Sequence, residues 1–222
     1  AYSVIATSDN GLFMVGFLDI TASGGAGNDF SGNTTQHGVG EFWAHKLDAN
    51  GNLEWRRYFG GTNNDRAYDV IETLDNGYII AGAAESLDFD ISSPNGSYDF
   101  WVIKVNNQGG LVWEKSFGGS GFDSARAIKP ALDGGIFVSG STRSDDNHIT
   151  QSFGQNDFWV LKLSSSGNLE WEQSLGGSGI DFSYDVLQTP DNKVIVVGSS
   201  DSTDNQVTGN HGDQDGWIVK LK

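Results

Sequence analysis

The stretch Asp99–Gly119, DFWVIKVNNQGGLVWEKSFGG, decides the fold because it recurs along the chain. It reads EFWAHKLDANGNLEWRRYFGG over Glu41–Gly61 and DFWVLKLSSSGNLEWEQSLGG over Asp157–Gly177. A fourth copy, DGWIVKLK, begins at Asp215 and runs to the last residue of the sequence. The leading tryptophans of the copies are 58 residues apart: Trp43, Trp101, Trp159 and Trp217. A fixed period of about this length is typical of propellers, solenoids and repeat arrays.

Each repeat contains the signals of four β-strands. Ala67–Gly82, AYDVIETLDNGYIIAG, predicts two strands joined by a tight turn, because the glycine of Asp-Asn-Gly supplies the positive φ that such a hairpin needs. A long polar loop follows, then the tryptophan strand, a short turn, and the strand around Leu-x-Trp. The repeat closes with a Gly-Gly loop that ends in an aspartate, as in Gly60–Asp65. We label the strands a, b, c and d in chain order.

These units predict an all-β protein, a β-propeller built from four repeats of about 58 residues with four strands each, except that the last unit lacks its outer strand d. The repeats are residues 1–66, 67–124, 125–182 and 183–222, and they form one propeller domain or a segment of one. A parallel solenoid fits less well because its coils are shorter, and a pair of sandwiches would not explain the strict period. We expect the native chain to continue into further blades; the alternative is a ring that closes at four.

The composition fits many short strands and excludes several classes of partner. The 222 residues include 31 Gly, 3 Pro and 7 Trp, a turn-rich and aromatic-rich profile. The net charge of −16 repels a phosphate backbone, so we expect no nucleic-acid partner. The absence of cysteine excludes a disulfide framework and thiol chemistry. No apolar run approaches the about 18 residues of a membrane span.

The order of four motifs in each repeat resembles a family of secreted bacterial repeat proteins. The motifs are W-[VI]-x-K-L, G-N-L-x-W, G-G-S-x-x-D and D-x-G-x-I-x-x-G, and the match covers all four units. Members of that family often carry a sorting domain for type IX secretion, which is not part of this sequence. The resemblance implies a β-propeller that is secreted or displayed on the cell surface, and it implies no catalytic residues.

The repeated tryptophans admit two interpretations. An exposed indole could be a stacking platform for a sugar, whereas alternation with apolar neighbours such as Ile103 and Val105 favours packing between blades. We therefore expect the four leading indoles, Trp43, Trp101, Trp159 and Trp217, to be largely buried between blades.

The loop face is the predicted ligand-binding surface, because loops tolerate variation while strands hold them rigid. Strand a begins there with a ring of three tyrosines and one arginine: Tyr2, Tyr68, Arg126 and Tyr184. The Gly-Gly loops end in Asp65, Asp123 and Asp181, which we count among the candidate ligand-binding residues. The alternative for these aspartates is that they accept backbone N–H groups and close their own loops.

The loops between strands b and c contain closely spaced carboxylates, which are the ligands that calcium prefers. Asp88 with Asp90, and Asp145 with Asp146, are the candidate calcium ligands, although no loop has the full EF-hand pattern. We expect no cofactor, and calcium is the first alternative. His37 and His211 would be neighbours in a closed ring of four and offer a weaker, zinc-binding alternative.

The sequence thus predicts a non-enzymatic extracellular module for adhesion, for binding a glycan or a protein through the loop face, or for spacing the parts of a larger surface protein. The alternative is a glycan hydrolase or lyase on a propeller scaffold. An enzyme needs a polar cluster unique to one repeat. The insertion of eight residues in Asp19–Gly40 is the one candidate, and it contains no acid–base pair. We therefore expect no catalytic residues.

Overall fold

The computed structural model describes residues 1–18 and 40–221, and all regular secondary structure in these ranges is β-strand. The strands form four antiparallel meanders, three of four strands and one of three, each with its strands in chain order as in a propeller blade. The predicted all-β repeat fold and the missing strand d of the last unit are confirmed. Most of the insertion predicted in Asp19–Gly40, together with His37, lies outside the described residues.

The strand bounds follow the repeat. The first sheet contains β1 (Ser3–Ala6), β2 (Leu12–Leu18), β3 (Glu41–Leu47) and β4 (Leu53–Phe59). The second contains β5 (Asp65–Glu72), β6 (Tyr78–Ala84), β7 (Asp99–Val105) and β8 (Leu111–Phe117). The third contains β9 (Asp123–Pro130), β10 (Ile136–Thr142), β11 (Asp157–Leu163) and β12 (Leu169–Leu175). The fourth contains β13 (Asp181–Gln188), β14 (Val194–Ser200) and β15 (Asp215–Leu221).

The chain divides into two compact units, which we describe separately. The first comprises Ala1–Pro94 and Phe100–Ser116, and so holds the first sheet and nearly all of the second. The second comprises Asn95–Asp99 and Phe117–Lys222, with the third and fourth sheets.

Aromatic rings form the core of the first unit. The indole of Trp101 on β7 meets the ring of Phe42 on β3 edge-on, with centroids 4.6 Å apart. Phe13 on β2 stacks on Tyr78 of β6, with centroids 3.9 Å apart. Each contact joins the first sheet to the second, so apolar side chains of strands b and c bury the facing surfaces of neighbouring sheets.

The second unit repeats this packing. Trp217 on β15 lies against Phe158 of β11, with centroids 4.8 Å apart, and so joins the fourth sheet to the third. Phe158 and Trp159 are both fully buried. Neighbouring residues of a strand point to opposite faces, so the Phe-Trp pair supplies one ring to each face of its sheet.

The predicted burial of the leading tryptophans is confirmed for Trp101 and Trp159, which have no exposed surface, but Trp43 and Trp217 are only half-buried. The second sheet covers the Phe42 face of β3. Trp43 therefore points to the opposite face, away from the second sheet. Trp217 lies on β15, the last strand of a three-stranded sheet, where no strand d covers its flank.

A buried lysine joins strand c to the a–b turn and to strand d. Lys46 Nζ lies 2.8 Å from Asp9 Oδ2 in the a–b turn and 3.0 Å from Glu54 Oε2 on strand d. In the third sheet Lys162 makes the same pair of contacts, at 3.0 Å to Asp133 and 3.1 Å to Glu170. The repeated lysine of W-x-x-K therefore has a structural role at the end of the sheet opposite the Gly-Gly loops.

Candidate ligand-binding face

The candidate ligand-binding residue of strand a lies in a β-bulge in three of the four sheets. In the second sheet Ala67 pairs with Gly82 and Asp69 pairs with Ala81, so that Tyr68 is the extra residue of the bulge. The same register shift makes Arg126 the extra residue of strand a in the third sheet and Tyr184 that in the fourth. A bulge bends its strand and re-aims the extra side chain, and bulges are frequent beside functional sites.

The bulge depends on a glycine in strand b. A Cβ on Gly82 would lie 2.0 Å from the carbonyl oxygen of Arg66, and one on Gly198 would lie 1.9 Å from that of Phe182. No other residue allows so close an approach of two backbones. The sequence carries this signal as a glycine inside each b strand, which sequence reasoning overlooked.

In the first unit the predicted Tyr2 and Tyr68 come together. Their ring centroids are 5.1 Å apart, and Tyr2 also stacks on Phe17 at 6.0 Å with 17° between the planes. The guanidinium of Arg66 lies 5.2 Å from the centre of the Phe17 ring, a cation–π contact. Tyr2 is 57% exposed and Phe17 is 38% exposed, so the rings are accessible. We call these four residues the aromatic patch.

Phe17 and Arg66 were not among the ligand-binding residues predicted from the sequence. Phe17 lies near the end of strand b, where the other repeats have the small residues Ala83, Ser141 and Ser199. An aromatic residue that breaks the repeat at an exposed position was the available signal.

In the second unit Arg126 and Tyr184 are exposed, and the Tyr184 hydroxyl lies 3.2 Å from that of Ser199. A further aromatic pair adjoins the Gly-Gly loop: the rings of Tyr98 and Phe122 have centroids 4.8 Å apart, and the Arg143 guanidinium lies 5.9 Å from the Phe122 ring. The sequence analysis did not single out this pair.

The aspartates that end the Gly-Gly loops close those loops. Asp123 is fully buried, and its Oδ2 accepts hydrogen bonds from the backbone N–H of Gly119 and the hydroxyl of Ser144, both at 2.8 Å. Its Oδ1 accepts one from Thr142 Oγ1 at 2.5 Å. Asp65 and Asp181 are equally buried and bind the equivalent glycine and serine. All three aspartates thus have the loop-closing role.

Burial has an electrostatic consequence in the first unit. Desolvation raises the pKa of Asp65 to about 6, against the lowering effect of the hydrogen bonds from Ser86 and Gly61.

The candidate calcium ligands hold the same loops. Asp88 Oδ1 accepts the N–H of Thr62 at 2.9 Å, and Asp146 Oδ1 accepts that of Ser120 at 2.7 Å. Asp90 Oδ2 accepts the N–H of Gly60 at 3.2 Å. The fourth candidate, Asp145, is exposed. Within residues 1–18 and 40–221, no group of three or more His, Cys, Asp or Glu side chains is placed to hold a metal ion.

The recurrence of Ser-x-Asp was the sequence signal for these loop-closing hydrogen bonds. The motif is Ser86-x-Asp88, Ser144-x-Asp146 and Ser202-x-Asp204, again with a spacing of 58. In each copy the serine hydroxyl accepts an N–H of the Gly-Gly loop and donates to the aspartate that ends it.

Comparison with known proteins finds similarity to solved structures. Neither a protein-family model nor a curated protein sequence matches this chain. A solved structure of a protein of unknown function from Bacteroides caccae is similar over 73% of this chain, with a TM-score of 0.40 and 12% sequence identity. The chain spans about half of that protein, 51% of its length. In the described part of the chain, no helix could span a bilayer.

Proposed function

We propose that this protein is a non-enzymatic extracellular binding module that recognises a glycan through the exposed rings at the start of its a strands. The aromatic patch carries the proposal. Tyr2 and Phe17 present adjoining rings to solvent, the half-buried ring of Tyr68 lies beside Tyr2, and Arg66 provides a cation beside Phe17. Sugar rings have apolar C–H faces that pack on aromatic rings, and their hydroxyls bind nearby polar groups, the combination found in small-ligand sites.

The carboxylates of the Gly-Gly loops support a binding role over catalysis. A general acid or base needs a carboxyl group within hydrogen-bond reach of the substrate. Asp65, Asp123 and Asp181 are buried, and the hydrogen bonds of Asp88 and Asp146 close the adjoining turns. The extracellular location rests on the likeness of the repeats to those of secreted surface proteins.

Glycan-array screening of the full chain tests the proposal, followed by titration of the best oligosaccharide into variants. Tyr2→Ala and Tyr68→Ala should each weaken binding by roughly tenfold or more, since each removes an anchoring ring. Leu74→Ala is the matched control, because Leu74 is a fully exposed apolar residue of an a–b turn. A screen without any bound glycan, or binding that survives both tyrosine variants, would contradict the proposal. Shortened oligosaccharides after incubation would favour the enzyme alternative.

A further inference from the structure

Two Gly-Gly loops of the second unit each bury a pair of carboxyl groups. A Cβ on Gly118 would lie 2.1 Å from Asp99 Oδ1 and 2.6 Å from Asp123 Oδ2, so both oxygens converge on one point beside the backbone. At Gly176 the corresponding distances are 2.3 Å to Asp157 Oδ1 and 2.5 Å to Asp181 Oδ2. All four aspartates are at most 2% exposed.

The two members of the first pair differ in their hydrogen bonds. Asp123 accepts several, from Gly119, Ser144 and Thr142. In Asp99, Oδ2 accepts the N–H of Asn95 at 2.6 Å, whereas Oδ1 is buried and has no hydrogen-bond partner.

In the second pair, Asp181 Oδ2 accepts hydrogen bonds from the N–H of Gly177 and the hydroxyl of Ser202, while Asp181 Oδ1 is buried without a partner. Asp157 Oδ2 accepts the N–H of Phe153 at 2.8 Å, and its Oδ1 is also buried without a partner. In both pairs the unpartnered Oδ1 of Asp99 or Asp157 converges with Oδ2 of the second aspartate beside the glycine.

Two ionised carboxylates in this position would be costly, because burial and a neighbouring like charge both disfavour the charged form. Within the described residues, no lysine or arginine forms an ion pair with any of the four aspartates. The titratable side chain next to the first pair is His148, whose Nδ1 lies 3.1 Å from the carbonyl oxygen of Gly118. In the second pair the neutral Gln206 takes that place, accepting the N–H of Gly176 at 3.1 Å. Because a neutral side chain takes this place in the second pair, a charged histidine is not what offsets the negative charge in both pairs.

We infer that each pair is a proton-binding site: Asp99 and Asp157 are carboxylic acids at neutral pH, and each donates its proton to the carboxylate that faces it, Asp123 or Asp181. The proton supplies the missing partner of the buried Oδ1 and leaves one negative charge in the pair. Calcium would require six to eight oxygen ligands, and the described residues include no group of three ligating side chains there.

The fourth repeat provides an internal comparison. Asp215 occupies the position of Asp99 and Asp157 and accepts the N–H of His211 in the same turn, at 2.7 Å. Its side chain is 39% exposed, and no aspartate is among the groups that act on it. The pKa of Asp215 is lowered by the His211 hydrogen bonds, whereas burial raises the pKa of Asp99 and Asp157, with a further rise from the paired aspartate.

The first test is the protonation state itself. Carbon-13 NMR of aspartate-labelled protein at pH 7 should show two carboxyl resonances at the position of the protonated acid. One of the two resonances should be lost in Asp99→Asn and the other in Asp157→Asn, whereas both should remain in Asp215→Asn. A spectrum that contains ionised carboxylates and no protonated acid would overturn the inference.

The second test is stability against pH. An amide can accept from Asn95 and donate to Asp123, so Asp99→Asn should melt within about 2 °C of the native protein at pH 7. A raised folded-state pKa favours folding at acid pH, and that contribution is lost as the pH rises through it. Near pH 10 the melting temperature of the native protein should therefore be about 5 °C or more below that of Asp99→Asn. The melting temperature of Asp215→Asn should follow that of the native protein.

Two outcomes of the stability test would contradict the shared proton. One is that Asp99→Asn is as damaging at pH 7 as Asp123→Asn, which removes the hydrogen-bonded carboxylate. The other is that calcium chloride raises the melting temperature of the native protein but not that of Asp99→Asn, which would indicate a metal ion instead.

Discussion

The indole of Trp101 meets the ring of Phe42 at 62° with centroids 4.6 Å apart, and Trp217 meets Phe158 at 56° and 4.8 Å. In both cases the tryptophan of one repeat packs on the phenylalanine of the repeat before it. The same contact between the phenylalanine and the tryptophan of successive c strands thus occurs in each compact unit.

Trp101→Ala should destabilise the protein by about 3–5 kcal/mol, the usual cost of truncating a fully buried large aromatic residue. Trp43→Ala should cost less, because the Trp43 indole is half-buried. Chemical denaturation of both variants measures the difference. Equal losses would show that the contact with Phe42 contributes little.

The repeat made much of the fold predictable. The spacing of the tryptophans located strand c in all four units, and the Asp-Asn-Gly signals located the a–b turns. Burial of an individual indole was less predictable, because it depends on which sheet covers each face of the strand. Trp43 and Trp101 share a motif but differ in their neighbours.

The roles of the aspartates could not be assigned from spacing alone. Asp88 and Asp90 suggest a metal site when only their own loop is considered, yet their hydrogen-bond partners Thr62 and Gly60 lie 26 and 30 residues earlier. Such contacts arise only when strands a, b and d are assembled. The recurrence of Ser-x-Asp would have separated Asp146, which repeats, from Asp145, which does not.

The loop-closing hydrogen bonds can be tested at Ser144, whose hydroxyl accepts the N–H of Gly121 at 2.9 Å and donates to Asp123 at 2.8 Å. Ser144→Ala leaves buried polar groups without partners and should cost about 1–3 kcal/mol. Asp145→Ala, in the same loop but exposed, should change stability by less than about 0.5 kcal/mol. Urea denaturation with and without calcium chloride checks both variants. A large calcium-dependent loss in Asp145→Ala would restore the metal-site interpretation.

Acid should weaken the contact between Lys104 and Asp75, whose Nζ and Oδ2 are 2.5 Å apart. The hydrogen bond from Lys104 lowers the pKa of Asp75 to about 2. A lowered pKa stabilises the fold above the ordinary aspartate value of about 4, and this contribution is lost as the pH falls through about 2. Asp75 is 60% exposed, so the effect should stay below about 1 kcal/mol.

The measurement is the difference in melting temperature between the native protein and Asp75→Asn. The difference should be present at pH 5 and shrink towards zero at pH 2. A difference that is constant across this range would show that Asp75 acts through its turn rather than through its charge.

Replacing the glycine of strand b should remove the bulge and displace the aromatic patch. A Cβ on Gly82 would lie 2.0 Å from the Arg66 carbonyl oxygen, so the strands must separate or change register. Gly82→Ala should therefore cost about 1–3 kcal/mol, as overpacking usually does. It should also weaken glycan binding, since Tyr68 is the bulge residue. Gly216→Ala is the matched control, because a Cβ on this strand glycine would have no atom within 4 Å. Denaturation and oligosaccharide titration of both variants, together with Tyr68→Ala, separate the two effects. If Gly82→Ala were as stable as Gly216→Ala and bound as tightly as the native protein, the bulge would not be what positions Tyr68.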